Sequence, residues 1–178
     1  SGSASAVTIN VNTSDDELNV DGDCSLREAV RAAETDTAVD ACAAGNGADM
    51  VVLPAGTYSL TVSGSGENAG ATGDLDIATE VTIRGASLTG TVIDGQGADR
   101  IAQVSASGKL TLNRLTLQNG KEIRGGAIHN AGELVLDTVI LRDNRAVHGG
   151  GVYNAGVLQA TNAQFRDNTA QGHPGRGG

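Results

Sequence analysis

The chain has 178 residues, enough for one ordinary domain with a real core. Hydrophobic residues make up 39% with no Trp, and 26 glycines stand beside two prolines, which excludes collagen-like and polyproline chains; no apolar run is long enough to span a membrane. The net charge is −9, with 16 of the 21 acids in residues 1–100 and 8 of the 12 Lys/Arg in residues 101–178, so the acidic half excludes a nucleic acid partner while the mildly basic half suits an acidic surface, a sugar or plain solvation.

The opening "SGSASAVTI" shows no signal peptide and reads as a processed or trimmed start, and "AVTINVN" predicts a strand. Next, "SDDELNVDGD" gathers Asp15, Asp16, Asp21 and Asp23 around Gly22, oxygen ligands of the kind calcium prefers. The spacing is not that of an EF-hand loop, and the competing reading is a solvated acidic turn. A helix is predicted over "DCSLREAVRAAE", with Ser25 as N-cap, Glu28 completing a capping box, and Leu26, Ala29, Val30 and Ala33 forming one apolar face. Cys24 and Cys42 bracket this segment. With no Cys-x-x-Cys pair and no histidine cluster, they predict a disulfide closing a loop of roughly 18 residues, worth about 3 kcal/mol, in an oxidising compartment. Two reduced buried thiols are the alternative. Residues 1–49 therefore read as an N-terminal strand and helical cap, and residues 50–178 as a second unit of different character.

That second unit is repetitive. "MVVLPAGTYSLTV", "LDIATEVTIRG" and "GTVIDGQG" are short strand-like runs, and from Leu110 onward the chain repeats with a period of about 24 residues. Leu110, Leu112, Leu115 and Leu117 fall on Leu134, Leu136, Val139 and Leu141; Gly125-Gly126 falls on Gly149-Gly150, and Leu141 on Phe165. Within a unit the apolar residues alternate, slip by one at Asp137-Thr138 and resume, as a corner between two strands requires. A leucine-rich repeat has this period too, but it needs a helical return after Asn144, and "RAVHGGGVYNAG" is too rich in glycine for one. The fold predicted is all-β: a right-handed parallel β-helix, a solenoid of about 24 residues per coil, capped by the N-terminal α-helix. Equivalent residues then stack about 4.8 Å apart, so Asn130 over Asn154 and Asn144 over Asn168 form asparagine ladders. Val157, Leu158 and Phe165 lie near the last coil, whose open edge predicts further coils of a longer chain or self-association. Gly177-Gly178 continue the phase of the earlier glycine pairs.

"CSLREAVRAA", "LPAGTYSLT", "TGDLDI", "VTIRGA" and "VIDGQG" resemble the CSLREA region of secreted or surface bacterial right-handed β-helix proteins. Gly125 to Ile128 and Phe165 to Asn168 are similar to the repeats of polymorphic outer-membrane proteins, which are autotransporter passengers associated with adhesion. The resemblance implies fold, export and a longer parent chain. It carries no catalytic residue with it. A bacterial origin would leave the sequon Asn12-Thr13-Ser14 unused.

Candidate chemistry is sparse. Asp94 in "VIDGQG" resembles a polygalacturonase segment, but the paired-aspartate, Gly-His-Gly and Arg-x-Lys elements of that family are absent. "HGGG" at His148 lacks a nucleophile elbow, and the repeat places His148 where Arg124 stood one coil earlier. His129, His148 and His173 read as surface residues. Glu67, Asp74 and Asp76 form a weaker second calcium candidate. The reading is a non-catalytic structural or adhesive module, secreted or at the cell surface, with host or surface glycans as candidate partners. The alternatives are part of a polysaccharide-active lyase or hydrolase, and an end-to-end stacking module.

Overall fold

A computed structural model describes residues 5–172; His173 and Gly177-Gly178 lie outside them. The elements run β1 (Thr8–Asn10), α1 (Leu26–Thr35), β2 (Asp49–Leu53), β3 (Gly56–Ser59), β4 (Leu75–Ile77), β5 (Glu80–Gly85), β6 (Thr91–Asp94), β7 (Ala102–Val104) and β8 (Lys109–Gln118). They continue with β9 (Lys121–Arg124), β10 (Ile128–Asn130), β11 (Glu133–Arg142), β12 (Arg145–His148), β13 (Val152–Asn154), β14 (Val157–Thr161), β15 (Gln164–Arg166) and β16 (Thr169–Ala170).

These strands form three sheets, and the strand pairs in each are parallel. The largest runs β1-β2-β5-β8-β11-β14, with β3-β6-β8 and β11-β15 alongside; the second runs β4-β7-β10-β13 and the third β9-β12-β16. From β7 onward each turn of chain gives every sheet its strand in the same order. The segment after Asn144 returns as two short strands, β12 and β13, where a leucine-rich repeat would need a helix.

Register explains the core. Ile9, Val51, Ile83, Leu112, Leu136 and Ala160 pair in one column, and Ile93, Leu117, Leu141 and Phe165 in another. Each side chain is covered by its counterpart in the next strand, so a run of small strands buries Leu, Ile and Val almost completely. The corner anticipated at Asp137-Thr138 is a left-handed backbone conformation. Arg114, Thr138 and Asn162, one per turn of chain, have φ of 57°, 58° and 52°, and Asn119, Asp143 and Asp167 mark a second corner at 56°, 56° and 51°. A β-branched threonine is strained there, whereas asparagine tolerates it. The glycine pair serves two needs at once: Gly125 and Gly149 have φ of 71° and 65°, while a Cβ on Gly126 would collide with the carbonyl of Gly150.

Helix α1 packs on β1, β2, β4 and β5. Ser25 caps it with both bonds of the capping box in place, an arrangement worth about 1 kcal/mol. The predicted face of Leu26, Ala29, Val30 and Ala33 is buried, and so, unexpectedly, are Arg27 and Glu28. Cys24 and Cys42 form a disulfide, Cα–Cα 4.9 Å, both buried against the start of the helix.

Candidate functional site

The acidic turn before α1 divides in the structure. Asp16 faces the buried Arg27, accepting from Nε at 2.6 Å and Nη2 at 3.1 Å, and also accepts from the backbone of Thr61 and Val62 at 2.6 and 2.8 Å. It is a structural counter-ion, and Asp15 is exposed, its backbone N–H donating to Thr13 Oγ1 at 3.3 Å. Asp21 and Asp23 instead converge with Glu17, their carboxylate oxygens lying within 4.8 Å of one another. Burial, then the neighbouring Asp21 carboxylate, holds both Glu17 and Asp23 above the usual carboxylate range. Of the four aspartates expected from sequence, Asp21 and Asp23 come together, with Glu17 as third member of the group, while Asp16 is taken up by Arg27. The second acidic candidate also disperses: Glu67 accepts from the backbone of Ala69 and Thr72, Asp76 from Gly70, and Asp74 faces Arg100. Asp94 is held by Gln118 and Asn119 at 2.6 and 2.9 Å, which accounts for it structurally.

The asparagine ladders are unequal. Asn144 is buried and donates to Asn168 Oδ1 at 2.9 Å and to the Leu117 carbonyl at 3.3 Å, while its Oδ1 accepts from Gly120 at 2.8 Å. Asn130 is buried as well and donates to Asn154 Oδ1 at 2.6 Å and to the Val157 carbonyl at 2.9 Å. Of their partners, Asn154 is exposed and Asn168 half-buried.

The face that gathers most chemistry lies on the second sheet. Register places Asp76, Gln103, His129 and Tyr153 side by side at the middle of β4, β7, β10 and β13. Inward-pointing Ile77, Val104 and Ile128 anchor those strands, and alternation turns Gln103, His129 and Tyr153 outward, while Asp76 at the end of the row is buried and accepts from the Gly70 N–H at 2.9 Å. Arg100 lies against it. Its Nε is 2.8 Å from Asp74 Oδ2, and its Nη1 lies 3.3 Å from the Arg124 carbonyl and 3.4 Å from His129 Nδ1. The angle at the Asp74 contact makes it an ion pair without a hydrogen bond. Burial pushes the Asp74 carboxyl up to about 7 and that of Asp76 to about 6, with Arg100 pulling against both. His129 is half-buried and its pKa is lowered by burial and by the two arginines, so it is neutral at pH 7. Its ring meets Tyr153 edge-on at 5.3 Å, and the Arg124 guanidinium lies 5.4 Å over the Tyr153 ring. An open depression of about 430 Å³ is lined by Arg100, Gln103, Glu122, Ile123, Arg124 and His129.

His129, read from sequence as a plain surface residue, is thus part of a built cluster. The signal lay in the repeat, which already aligned His129 with Tyr153 and Arg124 with His148. Arg100 too stands 24 residues before Arg124, but its contacts with Asp74 and His129 are set by three-dimensional packing that the repeat does not encode.

No known family profile matches the chain, and no curated protein matches it. Among solved structures the chain is similar to the PL6 family alginate lyase AlyGC, solved as a mutant. The TM-score is 0.54 at 17% identity, over 94% of this chain and 21% of that one. The chain thus spans 21% of the length of the lyase, and at this identity the likeness is one of fold alone.

Proposed function

We propose that the chain is a capped run of coils of a right-handed parallel β-helix that works outside the cell as a structural and adhesive surface. One observation carries this reading: Gln103, His129 and Tyr153 follow one another across three paired strands, each turn of chain adding one polar side chain to a continuous face. Such a face lengthens with the coils and suits contact with an extended polymer, whereas turnover needs groups converging on one bond. The repeated strand order and the likeness to AlyGC support the β-helix. The disulfide supports an oxidising location, and the resemblance of "CSLREAVRAA" and the glycine-rich repeats supports bacterial export and surface display. Val157 and Phe165 are 56% and 51% exposed beside the outermost strands β14 and β15, which supports cover by further coils or by a second copy. A calcium ion at Glu17, Asp21 and Asp23 suits the same extracellular setting.

The second reading, a polysaccharide-active enzyme, is favoured by one detail: a neutral His129 between Arg100 and Tyr153 is a set from which acid–base chemistry can be built. A panel of neutral and acidic polysaccharides separates the two. Affinity electrophoresis should show retention by at least one polymer, and assays for reducing ends and for unsaturated products should show no cleavage. Cleavage would establish the enzyme instead, and neither retention nor cleavage would overturn adhesion.

A further inference from the structure

We infer that the corner joining β9 to β10 is a subsite for a carboxylate-bearing sugar, a uronate unit of an anionic polysaccharide, with Arg124 as the principal partner of the carboxylate and Lys121 and Arg145 flanking it. The inference rests on the adhesive reading above and names its ligand.

The first support is an exception in the pairing. In the largest sheet, charges alternate down a column: Lys109 stands between Glu80 and Glu133, 3.3 and 3.5 Å from their carboxylates. In the third sheet the register sets Lys121 on Arg145 and Arg124 on His148. Lys121 and Arg145 are like charges directly opposite each other, which destabilises a sheet. Among the described residues none of Lys121, Arg124 and Arg145 joins an ion pair. The one carboxylate on β9, Glu122, lines the same surface without pairing with any of the three. An anion lying along the strip would relieve the repulsion.

The second support is shape. The depression beside His129 adjoins another of about 260 Å³ that holds Lys121 and Arg145, and the two share Glu122 and Ile123. Ile123 is 61% exposed between them, an apolar surface for the C–H face of a sugar ring. Chemistry supplies the third. A guanidinium matches a carboxylate with two parallel hydrogen bonds, and the one on Arg124 is already steadied over Tyr153. Gln103 and the neutral His129 offer donors and acceptors for hydroxyl groups. Glu122 in the lining, with Asp99 near it and Asp74 on Arg100, disfavours a densely charged phosphodiester and tolerates one carboxylate per sugar.

The test uses isothermal calorimetry on the whole chain with a polyuronate, a sulfated glycan and a neutral glycan of equal length, at low and high salt. Polyuronate should bind best and more weakly as salt rises. Arg124→Gln should lower its affinity about tenfold, the worth of one charge-assisted contact. Arg145→Gln should weaken binding while leaving the ligand-free melting temperature equal or higher, since it removes a repulsion; a merely structural arginine would lower it. Arg142→Gln, whose partner Asp143 lies at another corner, should bind like the wild type. Equal binding of the neutral or sulfated glycan, or wild-type affinity in both Arg124→Gln and Arg145→Gln, would overturn the inference while leaving adhesion standing. Cleavage of the polymer would overturn the adhesive reading itself.

Discussion

Arg27→Met should destabilise the protein by roughly 3–5 kcal/mol, the usual cost of breaking a buried ion pair from one side. The Arg27 side chain is fully buried, and that of its partner Asp16 is 3% exposed. Besides the carboxylate, the guanidinium donates to the Gly70 carbonyl at 3.0 Å and the Gly73 carbonyl at 2.8 Å. One side chain of α1 therefore holds three separated segments: the acidic turn, the loop before β4 and the helix itself. Methionine keeps much of the apolar stem but strands Asp16 and two carbonyls. Urea unfolding should show the midpoint fall with the slope retained. Arg27→Met combined with Asp16→Asn should recover part of the loss, because the stranded charge is gone. A change under about 1 kcal/mol would mean that the pair is solvated and that α1 is held by its apolar face alone.

Asn144→Ala should cost about 3 kcal/mol, since it leaves the Gly120 N–H and the Leu117 carbonyl buried without partners and removes the bond to Asn168. Asn154→Ala, on an exposed residue of the other ladder, should cost about 1 kcal/mol or less. Thermal unfolding of the two variants side by side checks the ranking. Equal losses would mean that the ladders do not run through the interior.

Much of this architecture was legible because the repeat is regular where it matters. A shift by one repeat predicted Leu110 on Leu134 and Leu141 on Phe165, and the strands pair that way. The slip at Thr138 and the capping box at Ser25 and Glu28 were local patterns with local causes, and both stand in the structure. Arg27 was not legible. Helical periodicity puts it off the apolar face, and its burial depends on Gly70 and Gly73, whose loop is remote from it along the chain. The acidic turn was legible only in part for the same reason: composition counts carboxylates, while three-dimensional neighbours decide their partners, so Asp16 pairs with Arg27 and Glu17 joins Asp21 and Asp23. The row from Asp76 to Tyr153 was half visible. His129 and Tyr153 align at the repeat period, but Gln103 and Asp76 belong to longer coils whose register only the strand pairing reveals.

The stacking of strands and the site upon it depend above all on that register, and paired cysteines test it directly. Thr111 and Val135 are partners on adjacent parallel strands, at a separation of about 4.8 Å, within the Cα–Cα range a disulfide spans. In a series combining Thr111→Cys with Glu133→Cys, Val135→Cys or Asp137→Cys, oxidation should close the Val135→Cys pair fastest and most completely. Faster closure with either of the other two positions, or no closure in any, would contradict the stacked coils from which the site was built.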